Sequence, residues 1–178
     1  MIKIVLKLEI VDNVRELVKG SLLVGMGEIG VSKEAPLSTL ALGSCLAVIV
    51  YDRSNKIGGL LHGMLPSGRG KPLPKYLDYG INMLISKIVE AGGEKEMLVS
   101  GLVGGGTIFN FGGELAIGRR NIDFAKSYLK SLGIPILIEE VDGRRGRSLV
   151  FDVKTGTVLV MVSRPPILQE INTIEPVD

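Results

Sequence analysis

Hydrophobic residues along this chain gather in short runs or alternate with polar ones, and in two places they recur at a spacing of three and four. Stretches of the first kind, at 21–24, 38–42, 46–51, 57–61, 97–103, 134–139, 149–153 and 157–162, predict strands. The last two flank Lys154-Thr155-Gly156, which predicts a hairpin turn with its glycine at positive φ. Leu77, Ile81, Leu84, Ile85, Ile88 and Val89 share one helical face over 75–91, with proline before the segment and Gly92-Gly93 after it. A second stripe, Ile122, Ala125, Tyr128, Leu129 and Leu132, predicts a helix over 121–132, ended by Gly133 with Pro135 beyond. Many short strands with two amphipathic helices predict an α+β class, an α/β sandwich of largely antiparallel β-sheets flanked by two main helices, rather than a regular βαβ array. One domain is expected over 21–163. An N-terminal extension over 1–20 carries a short alternating strand at 2–10 and a polar stretch with Val14, Leu17 and Val18, and a tail over 164–178 leaves the body near Pro165-Pro166.

Composition narrows the class. The core must be aliphatic, because 46% of the 178 residues are hydrophobic and only 4% are aromatic. No run reaches the ~18 consecutive apolar residues that a membrane span requires, and the first residues lack the pattern of a secretory signal. One cysteine makes no internal disulfide, which fits a reducing cytoplasm. Lys and Arg number 21 against 19 Asp and Glu, a net charge of +2 that gives no argument for nucleic acid; aromatic-basic interleaving is also missing.

The chemistry concentrates on that lone cysteine, Cys45, and the lone histidine, His62. Between them lie the apolar runs 46–51 and 57–61, split by Asp52-Arg53-Ser54-Asn55-Lys56, and the pattern predicts a β-hairpin. A pairing centred between Arg53 and Ser54 sets Cys45 opposite His62, with Cβ atoms about 4.5–5.5 Å apart on one face. A thiol and an imidazole held in this way are the parts of a nucleophile and its base. The imidazole is expected to lower the thiol pKa. Gly43 and Ser44 leave room for a ligand backbone, and the loop from Pro66 to Pro72 can rim a cleft. Each of the two residues alone reads more readily as a structural one; the spacing singles out the pair.

Other motifs carry less. Gly25-Met26-Gly27-Glu28-Ile29-Gly30 matches a dinucleotide fingerprint, but Pro36 and the extended 38–42 leave no room for the helix that motif must open, so no cofactor is expected. Gly104-Gly105-Gly106-Thr107 has no following Gly-Lys-Ser/Thr and reads as a tight turn or a backbone wall of the cleft. One Cys and one His without metal-ligand spacing predict no metal site. Arg119-Arg120 and Arg144-Arg145-Arg147 read as solvated clusters that can also steer an acidic protein partner.

Several blocks, in order, resemble the CheD family of chemoreceptor glutamine deamidases. Leu40-Ala41-Leu42-Gly43-Ser44-Cys45-Leu46-Ala47-Val48 is similar to its cysteine segment, and His62-Gly63-Met64-Leu65-Pro66 to its histidine segment. Lys75-Tyr76-Leu77-Asp78, Gly104-Gly105-Gly106, Ile117-Gly118-Arg119-Arg120-Asn121 and Asp142-Gly143-Arg144-Arg145-Gly146-Arg147-Ser148 match further blocks over about 23–162. The resemblance implies a Cys45–His62–Thr39 catalytic group and a sandwich like that of the cytotoxic necrotizing factor deamidases. It implies a cytoplasmic enzyme that hydrolyses receptor glutamines to glutamates, with chemotaxis receptors and a CheC-type CheY-phosphate phosphatase as partners. For that chemistry, backbone N–H groups near Ser44 and Cys45 are the expected oxyanion donors, with Gly43 and Gly104, Gly105 and Gly106 around the cleft. A binding module that regulates a CheC-type phosphatase without catalysis is the alternative reading.

Overall fold

Strand β4 (Leu46–Asp52) is buried along its whole length, which explains why its sequence is a continuous apolar run rather than an alternation. Leu46, Val48 and Val50 pack beneath helices α1 (Leu77–Glu90) and α2 (Ile117–Ser131), whereas Ala47, Ile49 and Tyr51 face a second sheet. The computed structural model describes residues 18–68, 73–107 and 117–163. Among them nine strands form two sheets. One has the order β2 (Ile29–Ser32), β5 (Ile57–Gly63), β4, β6 (Leu98–Gly104), β7 (Ile136–Val141). The other runs β1 (Leu22–Leu23), β3 (Leu37–Leu42), β8 (Arg147–Asp152), β9 (Thr157–Val162). Pairings are antiparallel except β1–β3 and β6–β7. The expected α+β sandwich is present, with both helices on the outer face of the five-stranded sheet. No helix among the described residues is long and apolar enough to cross a membrane.

Three details depart from the sequence reading. The β4–β5 hairpin pairs Ala47 with His62 and Asp52 with Ile57, so its centre lies between Ser54 and Asn55. A two-residue turn at Arg53-Ser54 would need positive φ at Arg53, and in its type I′ form at Ser54 as well; instead the Asp52 carboxylate accepts the Ser54 and Asn55 N–H groups (2.9 and 3.0 Å) and the loop lengthens. Strand β2 was not expected: the glycine-rich stretch makes a turn and then an edge strand on β5, with no dinucleotide-binding helix. Helix α2 begins at Ile117 rather than 121, ahead of its apolar stripe. Its end follows expectation, with Gly133 N–H donating to Lys130 O and Ile134 N–H to Leu129 O, both 3.0 Å, the Schellman arrangement. The predicted strand at 2–10, the stretch with Val14 and Leu17, residues 69–72 of the cleft loop and the tail from 164 lie outside the described residues.

Candidate active site

Moving the hairpin centre by one position shifts its pairing by two residues and leaves the faces unchanged. Cys45 sits one pleat before Ala47, the direct partner of His62, so cysteine and histidine are diagonal rather than direct neighbours on the face toward the second sheet. The His62 backbone is bracketed by the glycine-rich turn: Gly27 N–H donates to His62 O (2.9 Å), and His62 N–H to Glu28 O (3.1 Å). The motif that resembled a cofactor loop thus holds the histidine strand in place.

Thr39 reaches His62 from the other sheet. Its Oγ1 lies 2.7 Å from His62 Nδ1 and 2.7 Å from the Val24 carbonyl oxygen. A carbonyl has no proton to give, so the single hydroxyl proton goes to Val24, and Nδ1 must carry the ring proton and donate to Oγ1. Nε2 is then the nitrogen with the free lone pair. It is buried and has no hydrogen-bond partner among the described residues. A bulge places the threonine: β3 loses register between Thr39 and Leu42, with Ala41 at φ 56°, so that Leu37, Thr39 and Leu42 are all buried.

Cys45 is partly buried against the inter-sheet cluster. Gly105 N–H donates to Cys45 O and Gly106 N–H to Gly43 O, each at 2.8 Å. Those two amides therefore brace the cysteine loop, and Gly104–Gly106 form its wall; positive φ at Gly104 (106°) and Gly105 (65°) lets the chain turn there. Against that wall packs Gly118 at the start of α2, where an added Cβ would fall 2.7 Å from Gly106 O and overlap Gly105 O. Alanine ordinarily improves a helix by about 1 kcal/mol over glycine. Here Gly118→Ala is expected to destabilise by about 1–3 kcal/mol through overpacking, lowering Tm by about 3–10 °C for a chain of this size in a thermal melt.

Asn121, buried on the same face of α2 as Gly118, joins the two segments of the candidate pair. Its Nδ2 donates to Ser44 O (2.9 Å) and Met64 O (3.0 Å), one next to Cys45 and the other just past His62. Sequence reading gave Asn121 no role, although it lies on the buried face with Gly118, Ile122 and Ala125. An asparagine aligned with an apolar stripe was the available signal.

Burial governs the titration of both groups. It raises the Cys45 thiol above its usual range, with the residue's own N–H, directed at the sulfur, opposing the shift. It also lowers His62. The expected depression of the thiol by its neighbour is thus not what the structure shows; the resting pair is neutral thiol and neutral imidazole. Among the described residues no cluster of His, Cys, Asp and Glu could hold a metal ion.

The family model for CheD chemotactic sensory transduction matches residues 64–162. The chain is 40% identical over 146 residues to the probable chemoreceptor glutamine deamidase CheD 1 of Methanosarcina acetivorans, covering 79% of this chain and 91% of that one. The chain belongs to the CheD family. The probable chemoreceptor glutamine deamidase CheD of Pyrococcus abyssi is 42% identical over 143 residues (76% of this chain, 87% of its own), and that of Clostridium tetani 38% over 146 (77% and 88%).

Proposed function

We propose that this CheD protein deamidates glutamine side chains of chemotaxis receptors, with Cys45 as nucleophile, His62 as base and Thr39 as the residue that orients the imidazole. One observation carries the reading: a buried imidazole, held by Thr39 with Nε2 unprotonated, on the strand face it shares with the only thiol. Nε2 takes the Cys45 proton as sulfur attacks the amide carbon, and the hydrogen bond to Thr39 stabilises the imidazolium that forms. The tetrahedral oxyanion is assigned to the Ser44 N–H and, once sulfur has bonded to carbon and shed its charge, to the Cys45 N–H, since those of Gly105 and Gly106 are taken by carbonyls. His62 returns the proton to the departing nitrogen, ammonia leaves and a thioester remains. Water, deprotonated by His62, then hydrolyses it to glutamate and regenerates the thiol. Coupling to a CheC-type phosphatase belongs to the same proposal through the family, and co-purification with such a protein tests it.

A neutral resting pair has a pH signature. Protonation of His62 removes the base, and loss of the thiol proton removes the one later given to nitrogen. With His62 below its ordinary 6.5 and Cys45 above its ordinary 9.0, kcat/KM is expected to hold a plateau across that whole interval. An acid limb centred above 6.5 contradicts the neutral pair.

The direct experiment incubates the protein with a receptor cytoplasmic domain and follows ammonia together with a one-dalton gain per modified glutamine. Receptor binding with neither signal supports the non-catalytic module instead.

A further inference from the structure

Two segments attached to the wall behind Cys45 carry exposed arginines. Arg119 and Arg120 are exposed on α2 between Gly118, which packs on Gly105 and Gly106, and Asn121, which bonds Ser44. Arg144 and Arg145 are exposed on the β7–β8 loop. That loop is fastened to the same wall: Asp142 N–H donates to Gly104 O (2.9 Å) and Thr107 N–H to Gly143 O (2.8 Å). Asp123 and Asp142 lie 3.1 and 4.0 Å from the Arg119 guanidinium. Arg120, Arg144 and Arg145 have no carboxylate partner among the described residues. In a chain whose total charge is only +2, cations are thus gathered beside the candidate nucleophile.

We propose that this arginine rim docks an acidic helical segment, so that the glutamines taken are those flanked by aspartates and glutamates. The inference rests on the deamidase reading and adds the kind of substrate sequence it selects. Charge complementarity names the partner: exposed guanidiniums favour carboxylates spaced along a surface, and the segments that carry them are packed on or bonded to the wall that braces the Cys45 loop. A phosphate-bearing nucleic acid is the weaker match, because a chain with 4% aromatic residues offers few stacking platforms. Each turnover leaves a new carboxylate on the helix, so an earlier deamidation should help the next one nearby.

The test compares wild type with R120E/R144E/R145E on the receptor cytoplasmic domain, measuring kcat/KM at low and high salt. The triple variant is expected to lose about 10- to 100-fold at low salt, chiefly through KM, with Tm unchanged. Wild-type kcat/KM should fall as salt rises, and that of the variant should not. Alanine at the acidic residues beside a target glutamine should slow that glutamine in wild type alone. A triple variant within twofold of wild type, or an unchanged salt response, overturns the rim. A binding arm separates the two readings. Salt-sensitive receptor binding that the triple variant loses, without ammonia from wild type, removes the deamidase reading and keeps the rim; ammonia at equal rates from both proteins does the reverse.

Discussion

Replacing Cys45 with alanine is expected to lower ammonia release from a receptor domain by about 10⁵-fold or more, the scale on which a covalent nucleophile fails. The substitution removes one sulfur from a partly buried site, so the protein should remain folded and its thermal midpoint close to that of wild type. His62→Ala is expected to fall almost as far. The double variant should be little worse than either single one, because thiol and imidazole act as a unit and their losses do not add. Substantial turnover in Cys45→Ala removes the thiol mechanism, whereas fold-losses that multiply in the double variant mean that the two residues contribute separately. The measurement is single-turnover mass analysis of the receptor fragment, which detects slow residual conversion.

The second large effect is expected at Asn121, which touches neither the sulfur nor the imidazole. Asn121→Ala leaves two partly buried carbonyls, Ser44 O and Met64 O, without this donor, at a cost of about 1–3 kcal/mol in all. The strand ends that carry Cys45 and His62 then lose their common tie. A displacement near 1 Å is enough to cost about 100-fold in rate, and this should appear in kcat with KM little changed. Asn121→Asp separates positioning from mere folding. An aspartic acid of the same shape has one proton for two carbonyls, and once ionised it repels both. Activity of that variant should therefore fall as pH rises through the carboxyl ionisation, a limb that wild type lacks. A full kcat in Asn121→Ala, measured below its Tm, means that the tie is not needed.

The hairpin that presents the pair was legible because its arms are continuous apolar runs about a polar turn. Its register was not. Register depended on Asp52, whose carboxylate caps the turn, a contact that run boundaries do not encode. The prediction of a shared face survived because the pairing moved by an even number of residues. Strand β2 was missed because Ile29–Ser32 is short and follows glycines, and it exists only through pairing with β5. The start of α2 was missed because Gly118-Arg119-Arg120 has no apolar period; what favours helix there is the fit of a residue without Cβ against the Gly105–Gly106 backbone.

Sequence alone determined the fold class, both helices, the identity of the single thiol and imidazole, and, through resemblance, the family. Those follow from local periodicity and from residue types that occur once. Tertiary structure decided the rest: which nitrogen of His62 is free, how burial shifts both members of the pair, and that Asn121 ties their two segments. Each of these depends on contacts between the two sheets or between helix and loop. Such contacts join residues far apart in the chain, and their energies come from burial and hydrogen-bond partners that exist only once the layers are assembled.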